Sequence, residues 1–96
     1  MVVGILQLEL AIDGAMSLKD KRRVVRSLKD KLHHEHRVSV AEIDRQDEHR
    51  IAILGVAMVT SSVQVAQSVL DKLVDWVQRG HGYVLRDHKI EIISGH

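Results

Sequence analysis

Ser17-Leu18-Lys19-Asp20-Lys21-Arg22-Arg23-Val24-Val25-Arg26-Ser27-Leu28-Lys29-Asp30-Lys31-Leu32 is the stretch that decides the fold of this 96-residue chain. Ser17 followed by Asp20 has the S-x-x-D form of a capping box, which opens a helix running to about His36. Advancing 100° per residue from Leu28 brings Val24, Leu28, Leu32, Val25 and Leu18 within an arc of about 120°, an apolar face for a core. The opposite side carries Lys19, Arg22, Arg23, Arg26, Lys29 and His33, with Asp30 the only acid among them. Lys21 falls inside the apolar arc and is expected to snorkel, its stem on the core and its ammonium in water.

Before this helix, Leu6, Leu8, Leu10 and Ile12 alternate against Ile5, Gln7, Glu9 and Ala11, so Val2 to Ile12 reads as a strand that Asp13-Gly14 breaks. After it, Arg37 to Asp44 alternates Val38 and Val40 with Ser39 and Ala41, a second strand, and Gln46-Asp47-Glu48 is a polar turn. Ile51 to Thr60 is apolar or small at nearly every position, as in a central strand covered on both faces. Ser61 and Ser62 are candidate caps for a helix from about Val63 to Arg79, whose inner face is Ala66, Val69, Leu70, Leu73 and Val77. Gly80-His81-Gly82 ends it in the manner of a glycine C-cap, and Tyr83 to Ile93 closes with a strand carrying Ile90 and Ile92.

The order βαββαβ has one common compact solution. It is an α+β ferredoxin-like sandwich: a four-stranded antiparallel sheet with both helices on one face and the first and third strands adjacent in the middle. The pattern predicts a single domain over residues 1–96, without linker or repeat. Val3, Ile5 and half of the third strand must then face away from the helices. A homodimer covering this open face is expected.

Ninety-six residues can bury roughly 60 to 68% of the unfolded chain's surface without disulfides or metal. Cys is absent, which removes disulfides, thiolate nucleophiles and Cys-based zinc sites. Met1 to Ile12 is apolar but carries Gln7 and Glu9 and lacks a basic leader, so neither a signal peptide nor a membrane span is expected and the cytoplasm is the expected location.

The formal charge is only +1, yet eight of the 14 Lys and Arg residues lie between Lys19 and Arg37. Few acids stand at i,i+4 to neutralise them, so Lys19, Arg22, Arg23, Arg26 and Lys29 are the candidate phosphate contacts for RNA or the ribosome. Base stacking on the sheet, as in RRM domains, is not expected, because Trp76 and Tyr83 are the only aromatics of that size and neither lies on a central strand. The loop from Asp13 to Ser17 before a helix start could seat a phosphate, but it fails the Walker A pattern and reads as plain capping. His33, His34 and His36 point in different directions from one helix end, so no metal site and no cofactor are expected. Asp44, Asp47, Glu48 and His49 cluster at the hairpin turn, where acids usually serve geometry and solubility. An acylphosphatase has this size and order but needs an Asn in the third strand, and the chain has no Asn.

The sequence resembles the YlxP-like family of small bacterial proteins, a family built on a domain of unknown function. The resemblance rests on Val3-Gly4-Ile5-Leu6 with Leu8-Glu9-Leu10, on Ser17 to Asp30, on Val38-Ser39-Val40-Ala41-Glu42-Ile43-Asp44 with Gln46-Asp47, and on Leu54-Gly55-Val56-Ala57. It implies the ferredoxin-like fold. The family's genes commonly lie beside those for a transcription elongation factor, translation initiation factor two and ribosome-binding factor A, which implies RNA or ribosome association. The chain departs from the family pattern where aromatics are common, at His36 and His49. The expected function is a non-enzymatic RNA- or ribosome-associated protein. The alternative is a homo-oligomeric ACT-like module that holds a small ligand or regulates.

Overall fold

A computed structural model describes residues 1–95; His96 lies outside the described residues. The elements are β1 (Val2–Ile12), α1 (Leu18–His36), β2 (Ser39–Asp44), β3 (Ile51–Thr60), α2 (Val63–Gln78) and β4 (Tyr83–Ser94). They form one antiparallel sheet in the order β2-β3-β1-β4, with both helices packed on one face, the ferredoxin-like arrangement the sequence predicts.

The alternation in β1 is realised: Leu6, Leu8, Leu10 and Ile12 are buried under the helices, while Gln7 points outward. Helix α1 contributes Val25, Leu28 and Leu32 to that core and α2 contributes Leu70, Leu73, Val74 and Val77. Each such side chain is worth about 1.5–3 kcal/mol of burial. Glycine at position 4 keeps the sheet surface low there, since an added Cβ would stand 3.0 Å from a Leu70 methyl.

Three boundaries differ from the sequence reading. Strand β2 begins at Ser39, because Arg37 caps α1 in the left-handed region at φ 55° and donates its N–H to the His33 carbonyl. Helix α2 stops at Gln78, and β4 continues to Ser94. Gly80 is not a left-handed cap: Arg79 closes α2 at φ −94°, and the positive φ of this turn belongs to Gly82. Glycine at 80 answers a packing need instead, because a side chain there would overlap the Tyr83 hydroxyl.

Two bulges set which side chains face the helices. In β4 the pairing passes from Glu9↔Asp87 to Leu10↔Leu85, leaving Arg86 unpaired. Parity therefore switches, and Tyr83 and Leu85 join Ile90 on the core side. In β2 the step from Glu42↔Leu54 to Asp44↔Ile53 leaves Ile43 unpaired on the open face, where alternation puts it, over Gly55, and brings Asp44 opposite Ile53 on that same face.

Candidate nucleic-acid interface

The cap that starts α1 is formed: Ser17 Oγ accepts from the Asp20 N–H at 3.2 Å, while the Asp20 carboxylate reaches one residue beyond the cap and accepts from the Met16 N–H at 2.9 Å in place of the Ser17 N–H of a full box. This occupies amides a phosphate would need, so the loop acts as a cap. From there α1 carries Lys19, Arg22, Arg23 and Arg26 outward as exposed side chains and Lys29 as a partly buried one. Among the described residues none of the five has a carboxylate within 4.0 Å; the ion pairs are Lys21–Glu42, Arg45–Glu48 and Arg86–Glu9. Lys19, Arg22, Arg23 and Arg26 line one shallow trough with Ser27 and Asp30. The structure thus brings four of the five predicted cations together and sets Lys29 at the margin.

Lys21 overturns its sequence reading. It is fully buried, does not snorkel, and places its ammonium under the β2–β3 hairpin, 2.8 Å from the Arg45 carbonyl oxygen and 3.0 Å from that of Ile51. Glu42, on the core side of β2 opposite Leu54, supplies the counter-charge at 2.6 Å. A lysine in a core arc is stable only with such partners, and these come from residues more than twenty positions away.

The other polar clusters are partly satisfied inside the protein, with the buried His36 Nε2 left without a hydrogen-bond partner among the described residues. His33 Nδ1 donates to the Val38 carbonyl at 3.1 Å, a contact that requires the proton on that nitrogen, while His36 packs edge-on against Trp76 at 5.1 Å between ring centres. In the hairpin turn, Asp44 accepts from the Arg45 N–H and Glu48 pairs with the Arg45 guanidinium at 2.7 Å, which raises the Arg45 pKa. These carboxylates hold a left-handed residue, Arg45 at φ 58°, in its turn.

A second feature adjoins the stripe. Between α1 and α2 lies a cleft of about 340 Å³ lined by Arg23, Ser27, Lys31, Trp76, Gly80, His81 and Tyr83, with Val24 and Leu28 completing its floor. Trp76 and Tyr83 enter this site from α2 and β4, on the helix side of the sheet. Both aromatics stand out in the sequence, but only the fold brings them to one site beside α1.

The opposite side of the sheet, left uncovered by the described elements, is apolar over β2, β3 and the start of β1, while Gln7, Glu9, Asp87, Lys89 and Glu91 make the remainder polar. Val59 is 67% exposed and Ile43 and Ile93 about half, and Ile5, Ala41, Ile43, Gly55 and Ala57 border a trough of about 390 Å³. No helix among the described residues is long and apolar enough to cross a membrane.

A family model described as "Protein of unknown function (DUF503)" matches residues 3–90. The uncharacterised protein YlxP of Bacillus subtilis is 29% identical over 76 residues, which cover 79% of this chain and 83% of that protein.

Proposed function

The chain belongs to the DUF503 family of proteins of unknown function, and we propose that it is a non-enzymatic, cytoplasmic RNA- or ribosome-associated protein that grips phosphates through the outer face of α1. The observation that carries this reading is the set of Lys19, Arg22, Arg23, Arg26 and Lys29 on one helix face with no paired carboxylate among the described residues, in a chain of net charge +1. Unpaired cations concentrated on a rigid helix attract a polyanion and release its counterions on binding. The gene neighbourhood of the resembling family points the same way.

The test is binding to ribosomal subunits or structured RNA across a salt series. Engagement of all five cations gives a slope of log K against log salt of roughly −3.5 to −4.5. Lys19→Glu, Arg22→Glu and Arg26→Glu together abolish binding; unchanged affinity of this variant sinks the reading.

The apolar trough on the open sheet face favours a second reading, an ACT-like module in which two copies pair through their sheets around a small ligand. Thermal stabilisation by a metabolite without any RNA effect selects it. In either reading we propose that a second copy covers the open face, because exposed Val59, Ile93 and Ile43 form a patch that a monomer leaves in water.

A further inference from the structure

We propose that the cleft between α1 and α2 holds one unpaired nucleotide of an RNA strand, its base stacked on Trp76 and its flanking phosphates met by Arg23 and Lys31. This rests on the RNA reading of the basic stripe and gives it a second element, recognition of a base.

The cleft has the chemistry of a nucleotide seat. Its volume of about 340 Å³ lies at the small end of ligand pockets and suits a single nucleotide. Trp76 is partly buried and offers the chain's largest aromatic surface. Its ring is braced from outside the cleft by His36, at an interplanar angle of 66°, so little conformational freedom is lost on stacking. Tyr83 is committed to the floor, its hydroxyl donating to the Val77 carbonyl at 2.9 Å. Val24 and Leu28 make the remaining floor apolar.

The rim is cationic. Arg23 and Lys31 are exposed, neither has an ion-pair partner among the described residues, and no lining residue is acidic. Seven residues separate them, about 12 Å along the helix axis, with Ser27 halfway. Both side chains are long enough to lean toward Ser27, so together they reach the phosphates on both sides of one nucleotide, which a free mononucleotide does not possess. Arg23 also lines the trough of the stripe, so a strand lying along α1 can turn one base inward without leaving the cations. Stacking on an indole face combined with nearby cations is how sequence-tolerant single-strand sites are built. An acidic peptide would satisfy Arg23 and Lys31 but would bring no flat ring to Trp76.

Trp76 is the sole tryptophan, so its emission reports on this cleft. The full chain is titrated with an unstructured uridine decamer and, separately, with uridine monophosphate. The decamer is expected to quench Trp76 saturably, the monophosphate only at concentrations roughly ten-fold or more higher. Lys31→Ala, which leaves the stripe intact, and Trp76→Leu should each weaken decamer binding roughly five-fold or more, read by polarisation of a labelled decamer. Circular dichroism checks that Trp76→Leu is folded, and the exposed Lys31→Ala carries the test if it is not.

Unchanged Trp76 emission and wild-type affinity in both variants, while the Lys19, Arg22 and Arg26 reversal still abolishes binding, overturn the cleft and leave the stripe standing. Equal potency of the monophosphate overturns the assignment to a strand. No binding of any RNA overturns both the cleft and the stripe.

Discussion

Lys21 Nζ lies 2.6 Å from Glu42 Oε2, and the pair joins the first turns of α1 to the β2–β3 hairpin beneath the sheet's edge. The lysine side chain is 1% exposed and the glutamate 18%, so removing the ammonium leaves a largely buried carboxylate and two carbonyl oxygens unpaired. Lys21→Met is expected to cost about 2–4 kcal/mol in urea unfolding. Lys21→Met with Glu42→Leu should recover part of that loss, because no charge is then stranded. A Lys21→Met protein as stable as the parent would refute the structural role.

Tyr83 gives the protein an alkaline limit. Burial disfavours the phenolate and raises its pKa above the ordinary tyrosine value. The unfolded chain therefore releases this proton first, and the stability held below about pH 10 is lost as pH rises toward the folded pKa. Tyr83 is the only tyrosine, so absorbance near 295 nm follows its ionisation alone. The expected midpoint is above 10, and Tyr83→Phe removes this part of the alkaline fall in stability.

Gly80→Ala is predicted to destabilise by about 1–3 kcal/mol through overlap with the Tyr83 hydroxyl, not through backbone strain. The two positions should couple. In a Tyr83→Phe background the same substitution costs less, by roughly 0.5 kcal/mol or more in a double-mutant cycle, but still costs something, because the ring carbon Cζ would stand 2.5 Å from the new Cβ. A Gly80→Ala protein as stable as the parent would remove the packing role.

Sedimentation equilibrium tests the open sheet face. The wild-type chain is expected to be a dimer at micromolar concentration. Val59→Glu with Ile93→Glu, paired through Val3 on the outward face of neighbouring strands, should give a monomer with the same secondary structure. A wild-type chain that sediments as a monomer defeats the dimer proposal.

Strand and helix order was legible because the apolar periods are clean: 2 in β1, 3.6 in both helices. Residues whose roles depend on distant partners were not. Nothing local to Lys21 announces the Arg45 and Ile51 carbonyls or the Glu42 carboxylate, so wheel position suggested snorkelling. Arg37 looked like strand because Val38 and Val40 alternate after it, whereas the helix needed a left-handed residue there to satisfy the His33 carbonyl. The placing of Lys19, Arg22, Arg23 and Arg26 on one exposed face was readable, since all lie on one helix, whereas the partial burial of Lys29 was not. The cleft was not, because its walls come from α1, α2 and β4 and meet only in three dimensions.

Arg86 makes a last point about which changes this chain can absorb. Its guanidinium stands 3.9 Å from Glu9 with both side chains about half exposed, a pair worth little. Its identity is therefore nearly free, and so is its presence: Arg86 is the spare residue of the bulge, and without it Leu85, His88, Ile90 and Ile92 still alternate onto the core side opposite Leu10, Leu8, Leu6 and Gly4. Strand β1 has no such spare residue, and deleting Gln7 would turn either Leu6 or the run Leu8, Leu10 and Ile12 outward. The gene is therefore expected to tolerate missense changes and a single-codon deletion at position 86 but to lose a deletion at position 7, a tolerance set by phase and indifferent to chemistry.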